Sequence, residues 1–474
     1  MNKLTKIIAT IGPSSDSPEM IEKLIAAGVN VFRFNFKHSE IPWHSERITL
    51  VNSIAEKMGV HIGTLIDLQG PEIRINMPSD KIEIVDGELL LFGQEVYEEK
   101  EKGISITHPQ IIELLKEGQE ISVDDGYFSF TIVKKDKKTY LKSHTTGTLS
   151  TRKSMNIPGA DFPFPVIVDR DLDGLKIAAK HDIDFIALSM VRSAKDIRTV
   201  REEAKKHGVT GKFIAKIETQ KALDDIDKII EASDGVMIAR GDLGVEIPIE
   251  RVPFYQKMII KNCMIQGKFV ITATQMLQTM IDNPFPTRAE ISDIANAVYD
   301  LTDSIMLSGE TASGKYPLKS VQVMHKTAIF YEPKTDDDLR TNIKFSVRDT
   351  SALICDAAFD LYRDYIRANQ EVDGFMVFTE TGKTVTLLSR YRPKVPVFVF
   401  TQTTEVCESL SMNFGVEPFV FKYKMHDEVT QHELTRAVAI LKKKGLLKVR
   451  RGKLIVIHGD QWGRGSGATT IRII

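Results

Sequence analysis

Cysteine is scarce in this chain. Cys263, Cys355 and Cys407 are the only three in 474 residues, and they lie far apart. A disulfide framework is excluded, and the thiols read as reduced, in a reducing compartment. A surplus of one charge is missing too: 63 Lys and Arg stand against 64 Asp and Glu, a formal charge of −1. No global field steers the chain to nucleic acid or to an acidic membrane, so an anionic ligand must be caught by a local cluster. No apolar run approaches the length of a membrane span. The N-terminal stretch MNKLTKIIATIG has no small-residue cleavage site. The expectation is a cytoplasmic protein with neither nucleic acid nor membrane as a partner. No short-period repeat or low-complexity tract appears.

What is present is a regular alternation. Eight short apolar runs rich in β-branched residues occur at 6–12, 29–36, 61–68, 184–190, 212–218, 235–243, 269–276 and 304–310, each ending in polar residues or Gly. Amphipathic helical patterns follow most of them. Ser17-Pro18-Glu19 is a helix start, and Ser193 with Asp196 resembles a capping box. Eight strand–helix units in a row predict a (β/α)₈ TIM barrel. One interval departs from this pattern. Between Gly70-Pro71 and Pro158-Gly159 the chain reads as short alternating strands, with Asp86-Gly87 and Asp125-Gly126 as turns. A small β domain inserted after the third strand, placed as a lid, is expected. A second α/β pattern begins near Lys334, with a long helix around 348–368 and a strand at 374–378. It predicts a doubly wound C-terminal domain. The expected layout is 1–69 and 159–333 for the barrel, 70–158 for the lid and 334–474 for the last domain.

In such a barrel the chemistry belongs at the C-terminal strand ends. The second strand ends Phe-Arg-Phe-Asn-Phe-Lys. Alternation puts Phe32, Phe34 and Phe36 on one face and Arg33, Asn35 and Lys37 on the other. The third ends at Asp67-Leu68, followed by a Gly-Pro break and Arg74. Lys216 and Glu218 end the fifth strand two residues apart, on one face. The sixth runs into Ala239-Arg240-Gly241-Asp242. Glu218 and Asp242 are oxygen ligands suited to Mg²⁺; a structural ion pair such as Lys216 with Asp242 is the plainer alternative. Thr274 ends the seventh strand, where a cap is the plainer reading. Arg33, Arg74 and Lys216 as cations beside this metal seat make the inventory of phosphoryl transfer. Residue-level reading stops at a magnesium-dependent enzyme acting on a phosphorylated anion. Two other motifs fail: Gly382-Lys383-Thr384 lacks the leading P-loop glycine, with Val377 in its place, and Gly463-Arg-Gly-Ser-Gly lacks dinucleotide-site spacing.

The stretches TKIIATIGPSS from Thr5, GPEIR from Gly70, VDDG from Val123, NIPG from Asn156, SMVRSA from Ser189, AKIE from Ala215, ARGDLGVE from Ala239, ATQML from Ala273, PTRAE from Pro286 and MLSGETA from Met306 occur in order. On these the chain resembles the pyruvate kinase family along essentially its whole length, like bacterial-type members without an N-terminal extension. The resemblance implies barrel, lid and regulatory domain, a homotetramer, and phosphoenolpyruvate and ADP as substrates in the last step of glycolysis. It implies Glu218 and Asp242 as ligands of Mg²⁺, with Mn²⁺ as a substitute, Lys216 at the transferring phosphoryl, and Arg33 on phosphate. Ala239, Arg240, Gly241, Asp242 and Thr274 would seat the substrate carboxylate, with Thr274 also helping to protonate the enolate. Asn35 and Arg74 fall on the nucleotide or monovalent-cation side.

Three positions depart from the family pattern: Lys37 for a Ser that binds K⁺, Ser39 for Gly, and Met190 for Phe. The Lys37 ammonium is expected to replace K⁺ among Asn35, Asp67 and Leu68, bonding Asp67 and making K⁺ unnecessary; Glu72 stands where potassium-independent relatives carry Lys, and the alternative is a Lys37 that reaches solvent while K⁺ still binds. Thr379, Thr381, Gly382, Lys383 and Thr384, opening a helix after a strand, with Arg464 from the glycine-rich loop, are expected to hold a sugar-phosphate effector. A metal-dependent aldolase or a non-catalytic metabolite-binding paralogue are the competing readings. The second predicts loss of Lys216, Glu218 or Asp242, and all three are present.

Overall fold

The computed structural model describes residues 3–99, 101–124, 126–159, 162, 164–335, 343–345, 347, 349–422, 429–447, 452–459 and 467–474. Eight parallel strands close a barrel: Lys6–Thr10, Val31–Asn35, Gly63–Asp67, Phe185–Leu188, Lys212–Ile217, Gly235–Ala239, Phe269–Ala273 and Ser304–Leu307. Each is shorter than its apolar run, because the last residues of the run leave the ladder to form the mouth. The first strand pairs with the eighth, Lys6 opposite Ser304, so no edge is left. Ile8, Val31, Leu65, Phe185, Ile214, Met237, Ile271 and Met306, one from each strand, fill the interior. Alternate residues such as Phe32, Phe34 and Phe36 are fully buried under the helices. Helix starts follow local chemistry: Ser17 Oγ accepts from Met20 N at 3.2 Å, and the Asp196 carboxylate accepts from Ser193 N at 3.2 Å.

The chain leaves the barrel after Asp67 and builds a seven-stranded sheet and a two-stranded one between Ile75–Asn76 and Met155–Asn156. This inserted domain has its own core around Phe92, Phe130 and Leu141. Its first hinge is Gly70, at φ +68°. A Cβ there would sit 2.9 Å from Ser189 O, so both backbone and space demand glycine.

The C-terminal domain opens with the helix Thr350–Arg367. Its five-stranded sheet runs Val416–Val420, Val397–Thr401, Val372–Phe378, Lys453–His458, Thr470–Ile473, parallel except for the last strand. The strand order switches direction at Val372–Phe378. This domain is bolted to the barrel floor. Met412 completes the barrel's interior cluster. Arg392 Nη2 pairs with Asp303 Oδ2 at 2.5 Å, and Asp303 also accepts from Phe414 N at 3.0 Å and Val270 N at 3.0 Å. The three cysteines are all free and buried. Among the described residues no helix is long and apolar enough to cross a membrane.

Candidate active site

Asp67, at the end of the third strand, is fully buried and gathers the cations at the barrel mouth. Arg33 Nη2 and Nε donate to its Oδ2 at 2.6 and 2.8 Å, and Arg33 Nη1 donates to Thr10 Oγ1 at 3.0 Å. Lys216 Nζ lies 3.2 Å from Asp67 Oδ1. Burial alone would raise the Asp67 carboxyl, but Lys216 and then Arg33 hold it down at about 2. Lys216 is likewise buried; burial lowers its ammonium, and Asp67, Glu218 and Asp242 together outweigh that and raise it. Lys216 Nζ stands 2.8 Å from Glu218 Oε1 and donates to Ser189 Oγ at 2.7 Å. The sequence sets Lys216 beside two carboxylates, Glu218 and Asp242. The structure adds a third, Asp67, which Lys216 shares with Arg33.

Glu218 Oε2 accepts from Met190 N at 2.5 Å. Burial pushes this carboxyl up, and Lys216 followed by Lys37 pulls it below its ordinary value. Its Oε1 is buried, and the Lys216 ammonium at 2.8 Å is the contact the structure gives it among the described residues. Asp242, just past the end of the next strand, lines the cleft between lid and barrel. A buried carboxylate that meets one ammonium through Oε1 and keeps lone pairs to spare, beside a second carboxylate, is the kind of oxygen donor set a hard divalent cation takes. The residues therefore fit Mg²⁺.

The sixth strand passes directly into the helix Arg240–Glu246. Arg240 is committed: Nη1 and Nη2 reach the two Asp293 oxygens at 2.6 and 2.7 Å, and Nη2 donates to Thr274 O at 2.9 Å. This clamp holds the turn after the seventh strand, where Thr274 and Gln275 both take positive φ, +66° and +56°. Thr274 Oγ1 accepts from Gly241 N at 2.8 Å and donates to Ala273 O at 2.7 Å. Gly241 and Thr274 thus meet across adjacent strand ends. Thr272, one residue inside the strand, is buried against Thr302 at 3.0 Å.

Lys37 follows a different course from the expected one. Its ammonium stands 3.8 Å from Glu72 Oε1. Asp67 is already occupied by Arg33, Lys216 and the Ser189 hydroxyl, the last at 3.3 Å, and this crowding turns Lys37 to the next acid along. Arg74 is also committed, with Nε and Nη2 on Glu72 Oε2 at 3.1 and 2.9 Å and Nη1 on Arg152 O at 2.9 Å. Asn35 Oδ1 accepts from Lys37 N at 3.2 Å. Leu68 is buried, and its carbonyl accepts from Ser189 Oγ at 2.7 Å.

Lid and barrel enclose a cleft of about 290 Å³, lined by Lys37, Glu72, Met190, Arg192 and Asp242 among others. The lid is anchored at both hinges: Asp171 accepts from Gln69 N at 2.8 Å, while Arg192 donates to Phe162 O at 2.7 Å and Phe164 O at 3.1 Å. Residues 2–321 match the sequence family described as pyruvate kinase, barrel domain, and residues 364–474 match pyruvate kinase, alpha/beta domain. The chain belongs to the pyruvate kinase family. It is 39% identical over 476 residues to a pyruvate kinase of Bacillus licheniformis, covering 99% of this chain and 80% of that protein. It is 39% identical over 477 residues to one of Geobacillus stearothermophilus, again 99% and 80%. It is 37% identical over 479 residues to one of Clostridium acetobutylicum, covering 98% of both. The chain is accordingly a phosphotransferase.

Among pyruvate kinase positions, Ser39 and Met190 both stand at positive φ, +58° and +57°. For Ser39 this explains why the family pattern has glycine there. Sequence reasoning missed three residues that organise the site, Ser189, Asp171 and Asp293, and the pairing of Glu72 with Lys37 and Arg74. Ser189 and Glu72 lay inside quoted motifs, and their position at strand and hinge ends was the available signal. Asp171 and Asp293 sit on helices, with no local signal. In the C-terminal loop, Thr379 Oγ1 accepts from Gly382 N at 3.0 Å, and Gly382 stands at φ +80° before the helix Lys383–Ser389. Lys383 is paired with Asp349 at 2.5 Å. Thr384 is buried and Thr381 exposed. Arg464 lies outside the described residues.

Proposed function

We propose that the chain moves the phosphoryl group of phosphoenolpyruvate to ADP, giving pyruvate and ATP, with Mg²⁺ and without K⁺. The observation that carries this reading is the buried floor in which Lys216 joins Asp67, Glu218 and Ser189, with Asp242 lining the cleft from just past the next strand. Glu218 and Asp242 would hold Mg²⁺, which would supply charge neutralisation for the transferring phosphoryl. The enol-ester O–P bond breaks as a bond forms to the terminal ADP oxygen, and the enolate carbon then takes a proton.

The chain's own groups position and neutralise. Three of the five N–H groups of Arg33 are spent on Asp67 and Thr10, leaving two for phosphate. All three N–H groups of Lys216 have partners, two of them carboxylates. The neutral Ser189 hydroxyl is the one a phosphoryl oxygen displaces at least cost. A carboxylate seated at Ala239-Arg240-Gly241 takes the Gly241 N–H from Thr274 Oγ1, which leaves that hydroxyl to turn from Ala273 O toward the enolate. The Lys37 ammonium, opposite Glu72 and near enough to help lower the Asp67 and Glu218 carboxyls, serves as the monovalent charge at the cleft wall.

The same reading makes the chain a glycolytic, cytoplasmic homotetramer. It also gives the 379–384 loop, at the point where strand order switches, a sugar-phosphate effector. Pyruvate formation from phosphoenolpyruvate and ADP, followed with a coupled dehydrogenase, tests the reaction. Mg²⁺-dependent turnover abolished by chelation is expected. Failure to consume phosphoenolpyruvate at any Mg²⁺ concentration overturns the reading.

A further inference from the structure

The loop that carries Lys37 is held from a helix that sequence reasoning did not connect with it. Arg170, in the first turn of Asp169–Lys180, donates through Nε to Phe36 O and through Nη2 to Ser39 O, and also to His38 O at 3.2 Å. His44 Nε2 shares the His38 carbonyl at 2.8 Å, and its ring stacks on Phe36 at 4.2 Å. Ser39 pays for this path with a left-handed backbone, at about 1–3 kcal/mol for a residue other than glycine. Such a conformation persists only where neighbours over-determine it, and Arg170 is the neighbour that binds its carbonyl.

The next residue on the same turn does the matching work for the lid hinge. Asp171 accepts from Gln69 N at 2.8 Å and from Gly70 N at 3.2 and 3.3 Å. Two residues beyond that hinge is Glu72, which faces Lys37 at 3.8 Å. One helical turn therefore fastens both backbone segments whose side chains meet at the cleft wall.

We propose that Arg170 is the positioning residue for Lys37: by holding the carbonyls of Phe36, His38 and Ser39 it sets the loop so that the Lys37 ammonium stands opposite Glu72, in the place a monovalent cation would take. This rests on the potassium-free reading given above. Arg170 is separated from the reaction by the loop it holds, so its effect on turnover passes through Lys37. A misplaced charge at this distance costs on the order of 10–100-fold in rate.

The test is a double-mutant cycle with Arg170→Met and Lys37→Ser, assayed with and without K⁺. Arg170→Met is expected to lower kcat in K⁺-free buffer by on the order of 10–100-fold and to create a K⁺ activation that the wild type lacks. In the Lys37→Ser background the same change should add little. Arg170→Lys, which keeps one donor head, should recover part of the loss, and it carries the same comparison if the Met variant does not fold. A K⁺-independent wild type in which Arg170→Met leaves kcat intact overturns the proposal alone. So does a loss that K⁺ does not relieve and that multiplies fully with Lys37→Ser. A wild type that needs K⁺ overturns the potassium reading and the proposal with it.

Discussion

Lys37 Nζ stands 3.8 Å from Glu72 Oε1. The partner is a hinge residue of the lid, and the other oxygen of that carboxylate holds Arg74 at 2.9 Å. Adding K⁺ to this pocket would set two positive charges a few ångströms apart, costing about 4 kcal/mol at 4 Å for an effective dielectric near 20. Lys37→Ser removes the built-in charge. The variant is expected to be nearly inactive without K⁺ and to regain activity when K⁺ is added. A Lys37→Ser enzyme that works equally well in both buffers would show that Lys37 carries no such charge.

Lys216→Ala is expected to lose about 10³–10⁵ in turnover, the scale of a cation placed on a transferring phosphoryl. It should also lose stability. Removing one partner of a buried charge pair costs about 3–5 kcal/mol, and Asp67 keeps Arg33 as its paired cation and the Ser189 hydroxyl as a donor. Steady-state kinetics and chemical denaturation check the two effects. Near-normal kcat in a folded variant would take Lys216 out of the mechanism.

How far the site was legible in the sequence differs residue by residue. Lys216 and Glu218 could be read because two residues of one strand, two apart, must share a face, and the same alternation placed Arg33 and Asn35. The direction of Lys37 could not be read. Alternation gave its side of the strand, but Arg33, Lys216 and Ser189 reach Asp67 first. Asp171, 102 residues from Gln69, and Asp293, 53 residues from Arg240, act through contacts that exist only once the barrel closes. The barrel was legible from strand–helix alternation, the inserted sheets from its replacement by short strands and turns, and the last α/β domain from its return.

Stability has opposing pH dependences at the two ends of the barrel. At the mouth, the Asp67 pKa falls on folding from 3.8 to about 2. It contributes about 2 kcal/mol above pH 4, lost as pH falls toward 2. At the floor, burial followed by the neighbouring Asp184 pushes Glu408 up to about 8, and burial pushes Asp184 to about 7. For a raised acid the sign reverses: stability is fully present below the unfolded value and lost as pH rises through the folded one. Glu408→Gln should therefore raise the thermal midpoint at pH 8 and leave it unchanged at pH 4. An equal shift at both pH values would contradict this assignment.

The effector loop offers a sharper test than a simple titration, because Lys383 is occupied by Asp349. Freeing that ammonium should tighten binding of a sugar phosphate, and reversing its charge should abolish it. Asp349→Ala is expected to shift the activation curve to lower concentration, and Lys383→Glu to remove it. If sugar mono- and bisphosphates change neither activity nor thermal stability in any of the three proteins, the loop is a structural turn.

The most direct measurement is pyruvate formation by the wild-type chain from phosphoenolpyruvate, ADP and Mg²⁺ in a buffer free of K⁺ and NH₄⁺, at constant ionic strength. Full turnover, unchanged when K⁺ replaces the inert cation, is the predicted result. No turnover with Mg²⁺ in either buffer, or turnover that appears only with K⁺, would contradict it.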